Sequence, residues 1–135
     1  MNAAGAGAAG GLGFAFLTFL NGKLQSGVDL ILEELGLEAE IQTADIVVTG
    51  EGRLDAQTVM GKAPVGVAKL AKQHKKPVIA FSGCIGEGAE RCNEYIDAYF
   101  PILQQVGTLE QALETRTAYE NLKRTAYQVF RLLAI

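Results

Sequence analysis

Apolar and polar positions give the chain two textures. The run "GLGFAFLTFL", Gly11 to Leu20, is almost wholly apolar and predicts a buried helix of a soluble chain rather than a membrane span. Next, Ser26 with Asp29 three positions on has the form of a capping box. Val28, Ile31, Leu32 and Leu35 then share one helical face, and Gly36 is placed to cap that helix at its C-terminus. "LEAEIQT" reads as a short helical turn. From Asp45 the texture changes. "DIVVTG" is short, β-branched and continuously apolar, as a parallel strand covered on both faces should be. "GKAPVGVAKLAKQHKK" predicts a helix starting near Pro64, a residue suited to a first helical turn. "PVIAFSG" is a second strand, "GEGAERCNEY" a turn with a short helix, and "DAYFPIL" a third strand. Thr108 and Gln111 form a capping box for a helix reaching Leu113. A last helix is expected from about Tyr119 to Leu133, with Leu122, Ala126, Val129, Phe130 and Leu133 facing inward.

The order is β-α-β-α-β-α after a helical lead-in. That alternation implies an α/β fold with a parallel sheet, helices packed on it and right-handed crossovers. Ligands of such sheets bind beyond the carboxyl ends of the strands. The segments to inspect are therefore "TGEGRLDAQT", "SGCIGEG" and "QQVGT". Three strands make a thin sheet, which predicts that further strands come from elsewhere.

Composition narrows the function classes. A length of 135 residues, 49% apolar and 20% charged, describes one folded domain with a real core. The net charge of −3 and the lack of a Lys/Arg run argue against nucleic acid as the main partner. Cys84 and Cys92 are too few and wrongly spaced for a zinc site or a disulfide framework, and read as reduced thiols of a cytoplasmic protein. The single histidine, His74, lies in the polar stretch "AKQHKKP" as a solvated helix end, so a Ser-His-Asp or Cys-His site has almost no raw material. Met1 to Gly22 carry no charged side chain, but the positive n-region of a signal peptide is missing and glycines interrupt the apolar run; no membrane span is expected. Gly5 to Gly10 spell GxGxxG, yet only four residues precede Gly5, too few for the strand that normally delivers a phosphate loop.

The candidate chemistry lies in "VVTGEGRLDAQT". A buried strand runs into Gly50, Glu51, Gly52, Arg53 and Asp55, placing two carboxylates and a guanidinium at the functional end of the sheet. Arginine suits phosphate or carboxylate, and the acids suit Mg²⁺ or a hydroxyl proton. The alternative is a solvated turn in which Arg53 pairs with a neighbouring acid. Lys62 precedes a helix start, where an anion could bind, or simply faces solvent. Ala56 and Ala63 stand where a Walker A loop needs Gly and Ser or Thr, so this is not a P-loop. Ser82 and Gly83 close the second strand as a ligand-facing or an empty turn.

"GAGAAGGLGFA", "ADIVVTGEGRLDAQT", "GKAPVGVAKLAK" and "PVIAFSG", in this order, resemble the C-terminal part of the bacterial glycerate kinase family, of the type I or glycerate 2-kinase kind. The likeness continues through "IDAYFPIL" and "TLEQALETRTAYENLKRTA" and covers essentially the whole chain. It implies transfer of the γ-phosphoryl group of ATP to a hydroxyl of D-glycerate with Mg²⁺. It also implies a three-layer, Rossmann- or flavodoxin-like domain with a second domain inserted in it and the active site in the cleft between. On this sequence, residues 1–42 become the tail of the inserted domain and residues 43–135 the returning part of the α/β domain. Glu51 and Asp55 become the candidates for Mg²⁺ and for the substrate hydroxyl. Arg53, Lys62, Gly5, Gly7, Gly10, Gly11, Gly50, Ser82 and Gly83 become candidates for holding phosphate or substrate. The family's opening strand and "PDSFK"-type motif have no counterpart here, so the resemblance implies a C-terminal piece, inactive alone and self-associating through a bared face. Two other readings stay open: a non-catalytic α/β module that self-associates, and a kinase for another small hydroxy acid.

Overall fold

The structure, a computed structural model, describes residues 6–135. Three helices lead in: α1 (Ala8–Phe19), α2 (Gly27–Glu34) and α3 (Leu37–Thr43). There follow β1 (Val47–Leu54), a 3-10 turn (Thr58–Met60), α4 (Ala63–Gln73), β2 (Val78–Ile85), a second 3-10 segment (Ala89–Glu94) and β3 (Ala98–Pro101). Helices α5 (Leu109–Leu113) and α6 (Thr115–Leu133) close the chain. The sheet is parallel throughout, in the order β1-β2-β3.

Central β2 explains the layering. Val78 to Ser82 are all buried, as a strand covered on both faces requires. On one face Val78 and Ala80 pack with Val47 and Leu54 of β1, Val65, Ala68 and Ala71 of α4, and Ile41 of α3. On the other, Ile79 and Phe81 meet Val129 of α6, with Ala126 and Phe100 beside them. The fold is thus helix–sheet–helix in three layers. The expected domain division after residue 42 falls within α3, whose Ile41 shares a core with Val47.

Local signals behave as physics dictates. Ser26 Oγ accepts the Asp29 N–H at 3.4 Å, and Gly36 takes a left-handed conformation just past α2. Thr108 and Gln111 form a complete capping box on α5. Pro64 stands in the first turn of α4. The Asp97 carboxylate anchors the far end of α4: it accepts from Lys72 Nζ at 2.6 Å and from the Val78 N–H at 2.7 Å.

Three expectations are corrected. Helix α1 is not buried: Leu12, Phe14, Phe16 and Phe19, with Leu20 just past it, are exposed, because no element among the described residues covers them. Helix α6 turns only Val129 and Ala126 into the core, while Leu122, Phe130 and Leu133 are exposed. Its apolar stripe is wider than the floor that three strands provide. Finally, β1 does not end at Gly50 but continues to Leu54, still paired with β2. Among the described residues, no helix is long and apolar enough to cross a membrane.

Candidate functional site

The extended β1 carries Glu51 and Arg53 on the strand itself, opposite Ser82 and Cys84 of β2. Glycine makes this possible. A Cβ on Gly50 would lie 2.4 Å from the Phe81 carbonyl oxygen, and one on Gly83 would lie 2.4 Å from that of Gly52. Only bare backbone fits between the strands at that separation. The ladder skips the Gly52–Gly83 pair and resumes at Arg53–Cys84. Leu54 then enters the same core cluster as Val47 although the two are an odd number of residues apart, so the strand's alternation shifts at this point. Leu54 is fully buried and anchors the end of the strand.

Past Leu54 the chain folds back. Asp55 Oδ1 accepts the Gln57 N–H at 2.9 Å, an Asx-type turn that opens the 3-10 segment. Thr58 is fully buried there. Its hydroxyl donates to Glu51 Oε1 at 2.5 Å and accepts the Asp55 N–H at 3.1 Å. The turn then delivers Lys62 to the N-cap of α4. Lys62 Nζ stands 3.8 Å from Glu51 Oε2 and 3.6 Å from Asp55 Oδ1. Arg53 Nε lies 3.4 Å from Asp55 Oδ2, with its guanidinium mostly in solvent. Both carboxylates are only 18% exposed, so the two acids and two bases form a neutral, half-sheltered quartet at the carboxyl end of β1.

The Gln57 N–H holds the Asp55 carboxyl below the usual aspartate range; Lys62 and Arg53 add to this and partial burial opposes it. Burial pushes the Cys92 thiol up, and the charges of Glu51 and Asp55 push the same way. Cys92 is a fully buried core side chain behind the loop.

The remaining expected residues divide. Gly50 and Gly83, with Glu51 and Ser82, line a cavity of about 340 Å³ completed by Val48, Thr49, Phe81, Ile102 and Leu122. The Ser82 hydroxyl is itself committed within the sheet: it accepts the Leu54 N–H at 3.0 Å and donates to the Cys84 carbonyl at 2.6 Å. Ser82 thus ties the end of β1 to β2. Gly10 and Gly11 adopt positive φ and Gly7 precedes α1. Among the described residues, no hydrogen bond or ion pair joins this glycine run to the β1 quartet. Gly5 lies outside the described residues. Sequence reasoning missed Thr58, although it closes the segment "TGEGRLDAQT" that was singled out; its signal was a hydroxyl three and seven residues past two acids.

The chain matches the model of the family described as "Glycerate kinase family" over residues 1–134. It is 47% identical over 132 residues to a glycerate kinase of Haemophilus influenzae, covering 97% of this chain and 34% of the relative. It is 42% identical to the glycerate 2-kinase of Escherichia coli K12, with the same two coverages. A crystal structure of a Salmonella typhimurium LT2 protein described as a glycerate kinase 2 superposes with a TM-score of 0.70 at 42% identity, over 96% of this chain and 33% of that one. The chain therefore spans about a third of the length of these relatives.

Proposed function

Since this chain belongs to the glycerate kinase family, we propose that it forms part of an enzyme that phosphorylates D-glycerate from ATP. We propose further that residues 43–135 are the portion of its α/β domain that carries the β1 quartet, with residues 1–42 leading into it from a second domain. One observation supports this reading above the others. At the carboxyl end of a parallel strand, Lys62 stands within 4 Å of both Glu51 and Asp55, where such sheets bind ligands.

The residues suit phosphoryl transfer, in which positioning and charge compensation do most of the catalytic work. The Gln57 N–H, with Lys62 and Arg53 nearby, holds the Asp55 carboxyl below its usual range against partial burial, which favours the charged form that faces a cation. Glu51 offers Oε2, since its Oε1 is held by Thr58. These hard oxygen donors fit Mg²⁺, which is commonly bound by one or two carboxylates and otherwise by phosphate oxygens and water. Among the described residues, no group of three or more His, Cys, Asp or Glu side chains could hold a metal alone, so the phosphates would complete the site. When bound there, Mg²⁺ supplies charge compensation for the transferring phosphoryl group. In this reading Lys62 and the exposed Arg53 guanidinium hold phosphate or the glycerate carboxylate, which their charge beside the two acids supports. The cavity beside Gly50 and Gly83, mostly apolar, lies next to this charge and suits the uncharged part of a ligand. The setting we propose is cytoplasmic.

The test is an ADP-release assay with ATP, Mg²⁺ and D-glycerate, on the chain alone and with the N-terminal part of a relative added. We expect turnover only in the mixture. Silence of a well-folded mixture would overturn the kinase reading. Turnover that prefers another hydroxy acid would keep the chemistry and change the substrate.

A further inference from the structure

We propose that Thr58 is a positioning residue that sets the two carboxylates of the β1 quartet relative to each other. The proposal rests on the kinase reading for its consequence in catalysis but on geometry for its substance. Thr58 has no exposed surface, yet each of its hydrogen-bonding groups reaches a member of the quartet, the carbonyl being shared with the Gly61 N–H. Its hydroxyl accepts the Asp55 N–H at 3.1 Å. A backbone N–H can only donate, so the single hydroxyl proton is free for Glu51 Oε1, 2.5 Å away. Its own N–H donates to the Asp55 carbonyl at 3.0 Å, and its carbonyl accepts the Lys62 N–H at 3.3 Å. One buried residue thus touches Glu51 through its side chain, Asp55 through both side chain and backbone, and Lys62 through the backbone.

The consequence is specific. The donated proton fixes which oxygen of Glu51 is occupied and leaves Oε2 toward Lys62. The bonds to the Asp55 backbone fix where that residue's carboxylate starts from. Side chains that hold a transferring group must be placed within fractions of an ångström, and such placement depends on supporting hydrogen bonds of this kind. Valine has nearly the shape of threonine but cannot make either side-chain bond, whereas serine keeps both bonds and loses only the methyl group.

The experiment uses the full chain and three variants: Thr58→Val, Thr58→Ser and Thr58→Ala. NMR reads the Glu51 side-chain carboxyl ¹³C resonance and the exchange rate of the Asp55 amide, with the Ala80 amide of β2 as internal reference. We expect Thr58→Val to move the Glu51 resonance and to speed Asp55 exchange at least about tenfold relative to Ala80, and Thr58→Ser to stay within about twofold of the parent. Val like the parent with Ser disturbed would mean that Thr58 merely fills space, and would overturn the proposal. Should Val not fold, Ser and Ala decide. Both lack the methyl, so equal disturbance in the two overturns the proposal, and a disturbance confined to Ala supports it. In the chain complemented with a relative's N-terminal part, Thr58→Val should lower kcat at least about tenfold while KM for ATP and D-glycerate stays within about threefold. Unchanged kcat in Val, beside an active parent, sinks the positioning role and leaves the kinase reading standing. A silent parent sinks the kinase reading, and the exchange data alone then judge Thr58.

Discussion

At the scale of single residues, the quartet is a balance that any one substitution upsets. Removing the Asp55 carboxylate leaves Lys62 with Glu51 alone, 3.8 Å away, and leaves Arg53 without its partner. Asp55→Ala in the complemented enzyme should therefore cut kcat/KM by about a hundredfold or more, the scale of losing one preorganised electrostatic contact; near-normal turnover in a coupled assay would remove Asp55 from the site. Asp97 makes a different kind of prediction. The Lys72 ammonium, chiefly, holds its carboxyl below the ordinary value of 3.8, with the Val78 N–H helping against partial burial. A carboxylate depressed by folding stabilises the fold above its unfolded pKa, and that contribution is lost as pH falls through the lower folded value. Thermal midpoints followed from about pH 5 down to about pH 3 should fall less steeply for Asp97→Asn than for the parent, because the variant has no such group to protonate. Parallel slopes would remove Asp97 as an acid-sensitive tie. The charged members of the quartet were legible in sequence because charge stands out at the end of an apolar strand. Thr58 was not, since its importance depends on a 3-10 turn that folds it under Glu51. Of the two readings left open for Ser82, sequence could not choose, because its hydroxyl is occupied by the Leu54 N–H of a neighbouring strand that runs on past its glycines.

At the scale of elements, strands and helices were legible wherever periodicity and caps agreed. The capping box at Thr108, Pro64 in the first turn of α4 and Gly36 past α2 all stand where local chemistry put them. What periodicity could not show is that β1 passes through its own glycines. "TGEG" reads as a turn, because glycine is the ordinary turn residue. Here Gly50 and Gly83 instead permit a close parallel approach that lengthens both strands. Gly83→Ala sets a Cβ 2.4 Å from a backbone oxygen that no rotamer change can move. We expect it to destabilise the chain by about 2 kcal/mol or more, near the upper part of the overpacking range. Gly27→Ala meets nothing within 4 Å and should stay within about 0.5 kcal/mol of the parent. Urea denaturation of the two variants decides. Equal midpoints would mean that the strand ends are looser than this packing requires.

At the scale of the molecule, the sheet is narrower than the helices around it need. Its edge strand β1 leaves Val48 exposed on the α6 side, and α6 leaves Leu122, Phe130 and Leu133 exposed. Helix α1 adds Phe14, Phe16, Phe19 and Leu20, with Phe19 77% exposed. Contiguous apolar surface of this kind is a candidate for contact with further protein, and the relatives are about three times as long as this chain. Sequence reasoning foresaw a thin, three-stranded parallel sheet, since three strands were all it could count. It did not foresee that α1 would stand bare, because an all-apolar run signals burial without saying what does the burying. The surface makes a prediction that needs no knowledge of the reaction. Alone, the chain should sediment above its 14.3 kDa monomer mass, increasingly so with concentration, and should bind a hydrophobic dye. Adding a relative's N-terminal part should lower both effects together, since one surface cannot serve two partners, and phosphoryl transfer should rise in proportion. A dye-silent monomer at every concentration would show that these side chains cover one another in solution. Association that persists while turnover appears would place self-contact and completion of the site on different faces.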